Sequence, residues 1–561
     1  MFSRIAIVNR GEPAIRFIRA MKEYNLELDL QLKTITLYTE SDRYSPFTRQ
    51  ADEAIPIGDE MRETSEGSKI SAYCDHDYIL SILEENQCDA VWPGWGFVSE
   101  DPQFVAKLED KGIVFLGPSS EAMFQLGDKI AAKYLAQASG VPLTPWAECG
   151  EDLPENEILE HGNHIGYPLM VKASAGGGGR GIVKVKSQEQ LLPAIGQVRE
   201  QVAKVFGQGG ILLEKCISGA RHIEVQFVVN QNGEAFALGI RDCSIQRKNQ
   251  KIIEEAPSPI LPKDIEELLC ESAKNLARRS GYSGVGTAEF LYDPKTNVTT
   301  FLEVNSRLQV EHTITEMIYG CDLVKAQIDI ARGVAWRPPN SQPRGHAIEV
   351  RVNAENPERD FQPSPGTIAI FRTPSGPGIR VDSGVVEGME IAPYFDSMIA
   401  KIIAYAPTRK QAIARVLRAC KELEAVVVDG STNQAFLCEL LQNPEFVLAT
   451  ADTAWLDRFM STGDGMSILY EPEALVTAAI LAYESKRNEI QDTFFVQSQD
   501  GIPQQISTPE GIDVELRLRN QKWSIRVVKR SADLYSVGTE NKMHLVYLHE
   551  ISTGIAQLQM R

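Results

Sequence analysis

Apolar positions over the first part of the chain follow two alternating periods. Short strand-like runs at 5–8, 34–38, 90–92 and 114–116, apolar or rich in β-branched residues, have the length and composition of buried strands. After the first run, Pro13 opens a stretch in which Ala14, Phe17, Ile18 and Met21 fall at i, i+3, i+4 and i+7, the stripe of an amphipathic helix. Further helices are predicted around 77–86 and after Pro102. Strand and helix alternating in this way predict a parallel α/β sheet, whose loops at the strand C-terminal ends collect ligands. Asn9-Arg10-Gly11-Glu12 and Pro93-Gly94-Trp95-Gly96 occupy such loops, although an ordinary turn explains either one alone.

Beyond Gly117 the pattern predicts a helix that carries Lys129 and runs to about Ser139. Two strand-like runs then enclose Gly176, Gly177, Gly178, Gly179, Arg180 and Gly181, with Lys172 on the first of them. A glycine run between strands is a hairpin loop whose bare backbone can approach phosphate oxygens. Gly176, Gly178 and Gly181 fit a dinucleotide fingerprint, but such a fingerprint opens a helix and this one leads into the alternating run 182–186. No Gly-Lys-Ser/Thr follows, so a Walker-type phosphate loop is also excluded.

Period two returns at 222–227, with His222, Glu224 and Gln226 on one face and Ile223, Val225 and Phe227 on the other. The run 241–251 is dense in cations and amides. Runs 286–291 and 300–305, joined by the turn-like 293–297, predict a hairpin that brings Glu289 beside Glu303. Paired carboxylates among apolar neighbours need neutralising, and hard oxygen donors beside phosphates suit magnesium. If the chain stays extended past Asn305, then Arg307, Gln309 and Glu311 continue the same row, adding an anion-binding cation and a candidate general base. Arg351 stands between apolar residues and so should face a site or a carboxylate rather than solvent. Strands at 399–405 and a helix at 408–423 follow, and a domain closes near Phe459. After a linker-like break at 461–465, a helix at 472–487 precedes alternating runs around 514–518, 523–527 and 545–547.

The composition narrows the function classes. Among 561 residues, 76 are acidic and 57 basic, a formal charge of −19 that argues against a general role on nucleic acid or a membrane surface while permitting a local basic pocket. Nine cysteines without a C-x-x-C pair or regular spacing suggest reduced thiols and a cytoplasmic protein. Nothing approaches a membrane-spanning apolar run, and the start at Met1 leads directly into a strand, so no targeting segment is expected.

In order along 1–459, the motifs Asn9-Arg10-Gly11-Glu12, KASAGGGGRG, RDCSIQR, QKIIEEAP, FLEVNSRLQVEH and YFDSMIAK resemble those of the biotin carboxylase family of the ATP-grasp superfamily. Their joint order is the specific signal. The resemblance implies an α/β fold with an N-terminal Rossmann-like sheet at 1–116. An ATP-grasp domain would follow at 117–340 with a glycine-rich lid about 141–210, then a mixed α+β domain at 341–460. A small helix-and-sheet connecting module would occupy 466–561. It implies joining of bicarbonate to ATP, giving carboxyphosphate and ADP, and transfer of carbon dioxide to N1′ of biotin on a carrier protein, as the first half-reaction of an acyl-CoA carboxylase. It assigns Lys129, Lys172, Glu214, Lys215, His222, Gln246, Asn249 and Gly176 to Gly179 to ATP, and Glu289, Glu303 and Asn305 to magnesium or manganese. Lys251, Arg307, Gln309 and Val310 would hold bicarbonate, Glu311 would be the base, and Arg351 would stabilise the biotin enolate. Partners would be a biotin carboxyl carrier and a carboxyltransferase, in a homodimer or larger assembly.

Two departures stand out: Asn249 replaces the family's usual histidine, and Trp92 and Trp95 lie in a loop where single-function bacterial members have His and Tyr. No biotin-acceptor motif is present; Ala20-Met21-Lys22-Glu23 lies within a helix. Another ATP-grasp carboxylate ligase and a weakly catalytic scaffold module remain the alternative readings.

Overall fold

The structure is a computed structural model that describes residues 2–63, 67–150, 152–174, 181–206, 210–461, 471–499, 501, 511–518, 521–539, 542–552 and 555–560. The glycines at 176–179 lie outside the described residues. Contacts divide the chain into two units, 1–465 and 466–561.

The first unit begins with a five-stranded parallel sheet in the order Glu53–Pro56, Lys33–Tyr38, Arg4–Ile7, Ala90–Trp92, Val114–Phe115. Its central strand is apolar on both faces because helices cover both: Ile5 and Ile7 pack with Phe17 and Ile18 of helix Gly11–Leu28, while Ala6 and Val8 meet Ile79 and Leu83 of His76–Glu85. Trp92 ends a strand rather than lying in a loop. It is fully buried, stacks on Phe17 at 4.6 Å and donates its indole N–H to Gln327 at 3.0 Å, so it serves the core.

The helix expected from Gly117 to about Ser139 is two helices, Ser120–Gly127 and Lys129–Ala138. Asp128 breaks them: its carboxylate accepts from the backbone N–H groups of Ile130 (3.0 Å) and Ala131 (2.8 Å), an N-cap stronger than continued helix at this residue. The break sets Lys129 in a first helical turn.

A four-stranded antiparallel sheet, ordered Ile182–Val185, Leu169–Ala173, Ile211–Lys215, Trp146–Cys149, forms around Leu169, Val171, Val185 and Leu213. Lys172 pairs with Ile182 across the hairpin that encloses the glycine run.

The largest sheet has eight antiparallel strands in the order Val298–Asn305, Gly284–Asp293, Arg221–Val229, Ala235–Arg247, Gln250–Ala256, His346–Asn353, Met398–Ala406, Ile379–Ser383. On one face Ile223, Val225, Phe227, Ala288 and Phe290 bury against Leu269, Ala273 and Leu276 of helix Lys263–Arg279. The other face is polar.

The second unit is helix Glu471–Gln499 on an antiparallel meander of five strands, Ile512–Leu518, Gln521–Lys529, Leu534–Thr539, Lys542–Ser552 and Ile555–Met560. Leu475, Ala479, Ile480 and Tyr483 pack on Val514, Ile525, Val527, Val537 and Val546. The helix continues well past the expected end at 487.

Candidate active site

Register across the eight-stranded sheet sets Glu224 opposite Glu289 and Glu289 opposite Glu303, while Glu224 faces Arg241 on its other side. The period of two that buries Ile223 and Val225 turns these groups to the polar face. Three neighbouring carboxylates in a protein interior require cations. Arg241, fully buried, donates to Glu224 at 3.0 Å and to the Thr287 hydroxyl at 2.9 Å, and further to Gln226 and Gln309. Lys251, from Gln250–Ala256, donates to Glu289 at 3.0 Å, to Glu311 at 2.7 Å and to Glu224. Asn305 and Gln309 complete the shell of Glu289 at 2.7 and 2.9 Å.

The extended row expected through Arg307, Gln309 and Glu311 does not form. The strand ends at Asn305 and helix His312–Tyr319 follows, with residues 306–311 turning between them. The turn still delivers the three side chains to one region. Gln309 reaches Glu289, Glu311 reaches Lys251, and Arg307 donates to Glu100 at 2.8 Å and to Asn305 at 3.3 Å. The carbonyl of Val310 accepts from the Lys401 ammonium at 2.8 Å. Arg351, from His346–Asn353, forks between Glu254 (2.6 Å) and Glu311 (3.0 Å).

These contacts set the charge states. Burial opposes the charge of Lys251, but Glu224, Glu289 and Glu311 outweigh it and hold the ammonium well above its ordinary range. Burial would raise Glu311, yet Lys251 and then Arg351 bring it down to about 2, so it is ionised. Burial likewise opposes the His222 imidazolium, but Glu289 and Glu224 raise it to about 10. Glu254 is different: burial raises it to about 7 even with Arg351 against it.

A second cluster adjoins the first. Glu214 pairs with Lys172 and, at 3.0 Å, with Lys133; against burial, these two lysines depress its carboxyl to about 2. Lys129 is lowered by burial and supported by Glu303. Lys129, Lys133 and Lys172 thus form a buried cationic group of the sort that holds phosphates.

Two expected site residues stand apart from this network. Lys215 donates to the carbonyls of Gly166 (3.0 Å) and Tyr167 (3.2 Å). Asn249 is exposed at a hairpin tip, where Lys248 and Asn249 take φ of 48° and 66°, the left-handed pair of a two-residue turn that asparagine suits. Gln246 is buried on the strand, in register with Lys251.

The sequence reading did not single out Lys133 or Glu254; it placed Glu224 on the polar face of 222–227 and Arg241 in the cation-dense run, without naming a partner for either. Lys133 is one helical turn beyond Lys129, and Glu254 and Glu255 face opposite ways on one strand, the latter bonding His346 (2.8 Å) and Arg409 (2.6 Å). Those spacings were the available signals.

Donor chemistry tests the expected metal. Glu303 is raised by burial and by Glu289 across the ladder, so this pair of hard oxygen donors, with Asn305 beside it, carries negative charge that a divalent cation would relieve. The residues fit magnesium or manganese. His222, Glu224 and Glu289 also bring ligand atoms within 4.8 Å of one another, with the two carboxylates raising the His222 imidazole against its burial.

Comparison with known proteins identifies the family. Family models match residues 1–123 (Biotin carboxylase, N-terminal domain), 128–337 (Carbamoyl-phosphate synthase L chain, ATP binding domain) and 349–458 (Biotin carboxylase C-terminal domain). Biotin carboxylase 1 of Bacillus subtilis is 39% identical over 464 residues, 82% of this chain and 99% of that protein. A pyruvate carboxylase subunit of Methanothermobacter thermautotrophicus is 41% identical over 461 residues, 82% of this chain and 90% of that one. Among solved structures, a biotin carboxylase–β,γ-ATP complex from Campylobacter jejuni superimposes with a TM-score of 0.76 at 37% identity, covering 82% of this chain and 99% of that one. The biotin carboxylase domain dimer of the Hydrogenobacter thermophilus 2-oxoglutarate carboxylase, with MgADP, ADP and bicarbonate, gives 0.75 at 37% identity, covering 82% and 98%.

Proposed function

The chain belongs to the biotin carboxylase family, and from that premise we propose how its own residues carry out ATP-dependent carboxylation of biotin. The observation that carries the assignment of roles is the convergence of Lys251, Glu311 and Arg351 beside Glu289. Lys129, Lys133 and Lys172 bind the triphosphate. Glu289, Glu303 and Asn305 would hold magnesium or manganese, which would supply neutralisation of the phosphate charge. Lys251, Arg307 and Gln309 bind bicarbonate next to Glu311, which takes the bicarbonate proton as its oxygen attacks the γ-phosphorus, yielding carboxyphosphate and ADP.

Glu311 is a weak base while Lys251 and Arg351 both grip it. An anion entering between them shares those cations and restores its basicity, so proton transfer is tied to substrate binding. Carboxyphosphate then breaks its C–O bond to give carbon dioxide and phosphate, the phosphate takes the N1′ proton of biotin, and Arg351 stabilises the resulting enolate as N1′ adds to the carbon dioxide.

The partners are a biotin carboxyl carrier and a carboxyltransferase, and the chain acts as a homodimer or in a larger assembly. The final acceptor is an acyl-CoA. Trp95 and the module at 466–561 support that choice; relatives named for pyruvate and 2-oxoglutarate compete with it.

The test is ADP formation by the purified chain with magnesium, with and without bicarbonate and free biotin. Bicarbonate-dependent ADP release with carboxybiotin formed supports the proposal. Turnover that needs neither substrate points to another ligase, and nucleotide binding without turnover to a scaffold.

A further inference from the structure

Two of the motifs, Asn9-Arg10-Gly11-Glu12 and Tyr394-Phe395-Asp396-Ser397-Met398-Ile399-Ala400-Lys401, have no role in the chemistry above, yet they lock together. The Arg10 guanidinium lies 4.2 Å over the Phe395 ring. Glu12 pairs with Lys401 at 3.3 Å, both buried. Gly384, just past strand Ile379–Ser383, is where the backbones meet: a Cβ there would lie 2.3 Å from the Glu12 nitrogen and the Gly11 carbonyl carbon. Asn9 fixes the other side of the turn, donating to the carbonyls of Pro93 (2.6 Å) and Trp95 (2.8 Å).

Lys401 transmits this anchorage. It is fully buried on Met398–Ala406, in register with Arg351, and its ammonium donates to the Val310 carbonyl at 2.8 Å. Val310 lies in the turn at 306–311, which has no ladder partners to hold it, and a buried carbonyl needs a donor. Its neighbours in sequence are Gln309 and Glu311.

We propose that Lys401 is a positioning residue for the carboxylation: anchored by Glu12, it holds the Val310 carbonyl and so fixes the turn that presents Gln309 and Glu311 to the bicarbonate. The stretch 9–12, which enters helix Gly11–Leu28 and is remote in sequence from the site, is thereby part of the anion pocket. The inference rests on the biotin carboxylase reading of that pocket.

Bicarbonate-dependent ADP formation by the full chain tests it, in wild type, Lys401→Met, Lys401→Arg, and Lys401→Met combined with Glu12→Gln, which removes the carboxylate paired with Lys401. Losing a charged donor should raise half-saturating bicarbonate about tenfold, with half-saturating ATP changed less than about twofold, and Lys401→Arg should recover part of the loss. A folded Lys401→Met protein with wild-type bicarbonate dependence overturns the proposal. So does an equal loss toward ATP and bicarbonate, or failure of both methionine variants to fold, since each assigns Lys401 to the fold alone. A wild type that makes ADP without regard to bicarbonate instead sinks the carboxylase reading, and this inference with it.

Discussion

Replacing Glu254 by alanine removes the acceptor that holds Arg351 from behind. The guanidinium is shared between Glu254 at 2.6 Å and Glu311 at 3.0 Å, so without Glu254 it is drawn wholly to Glu311. A buried hydrogen bond between charged groups contributes about 1.5–3 kcal/mol, which corresponds to a roughly 10- to 100-fold fall in the correctly aimed population. The fall should appear in carboxybiotin formation, the step assigned to Arg351. ADP release in the absence of biotin should fall less, because the lysines at the triphosphate do not touch Glu254 and bicarbonate, once bound, shares Arg351 with Glu311 and offsets the tighter grip on that base. The assay therefore measures ADP and carboxybiotin in parallel, and the expected signature is a rising ratio of the first to the second. Glu254 titrates near 7 in the folded protein, so protonating it as pH falls through about 7 weakens the same contact; wild type should show this acid limb in the ratio and Glu254→Ala should lack it. Equal loss of both products in a folded variant, or no loss in either, refutes the reasoning.

Asn249→His should keep or raise bicarbonate-dependent ADP formation, because histidine also tolerates the left-handed backbone there; a large fall would show that the site depends on the amide. Against burial, His346 and Arg409 hold Glu255 at about 2, below its ordinary 4.5, which contributes on the order of 3 kcal/mol of stability above pH 4.5 that is lost as pH falls toward 2. Urea denaturation at neutral pH and at pH 3 should show the gap between wild type and Glu255→Gln narrowing in acid; a gap independent of pH contradicts the assignment. Trp92→Ala should cost about 3–5 kcal/mol in the same measurement, from the lost packing on Phe17 and the unmet Gln327 carbonyl, and a cost below about 1 kcal/mol would remove Trp92 from the core.

Periodicity reported the strands well because one face of each is buried. The alternation at His222 to Phe227 fixed which side chains met the charges, and the hairpin pairing of Glu289 with Glu303 followed from the turn between them. The turn at 306–311 was not legible, since alternating polar residues look the same extended or curled. Side chains that act through distant partners were also hidden: Glu254 finds Arg351 only because two strands far apart in sequence share a sheet, and Glu12 finds Lys401 only because the start of a helix packs against a strand far along the chain. Trp92 ends the strand expected at 90–92, and its packing there rather than the Pro-Gly turn that follows decides its role. At Asp128, capping strength decided against a continuous helix, a local competition that apolar spacing does not register.

The eight-stranded sheet imposes an order of events on synthesis. Gln250–Ala256 pairs with His346–Asn353, which in turn pairs with Met398–Ala406, so the strand bearing Lys251 leaves the ribosome long before its neighbour exists. Until then it is an open edge with unpaired backbone groups, in a topology of high contact order. The nascent chain would pass through a stage in which nucleotide-binding lysines are complete but Arg351 and Lys401 are missing. Ribosome-bound chains stalled before and after residue 406 should differ sharply in protease resistance around Lys251, with the early ones the better clients for a chaperone.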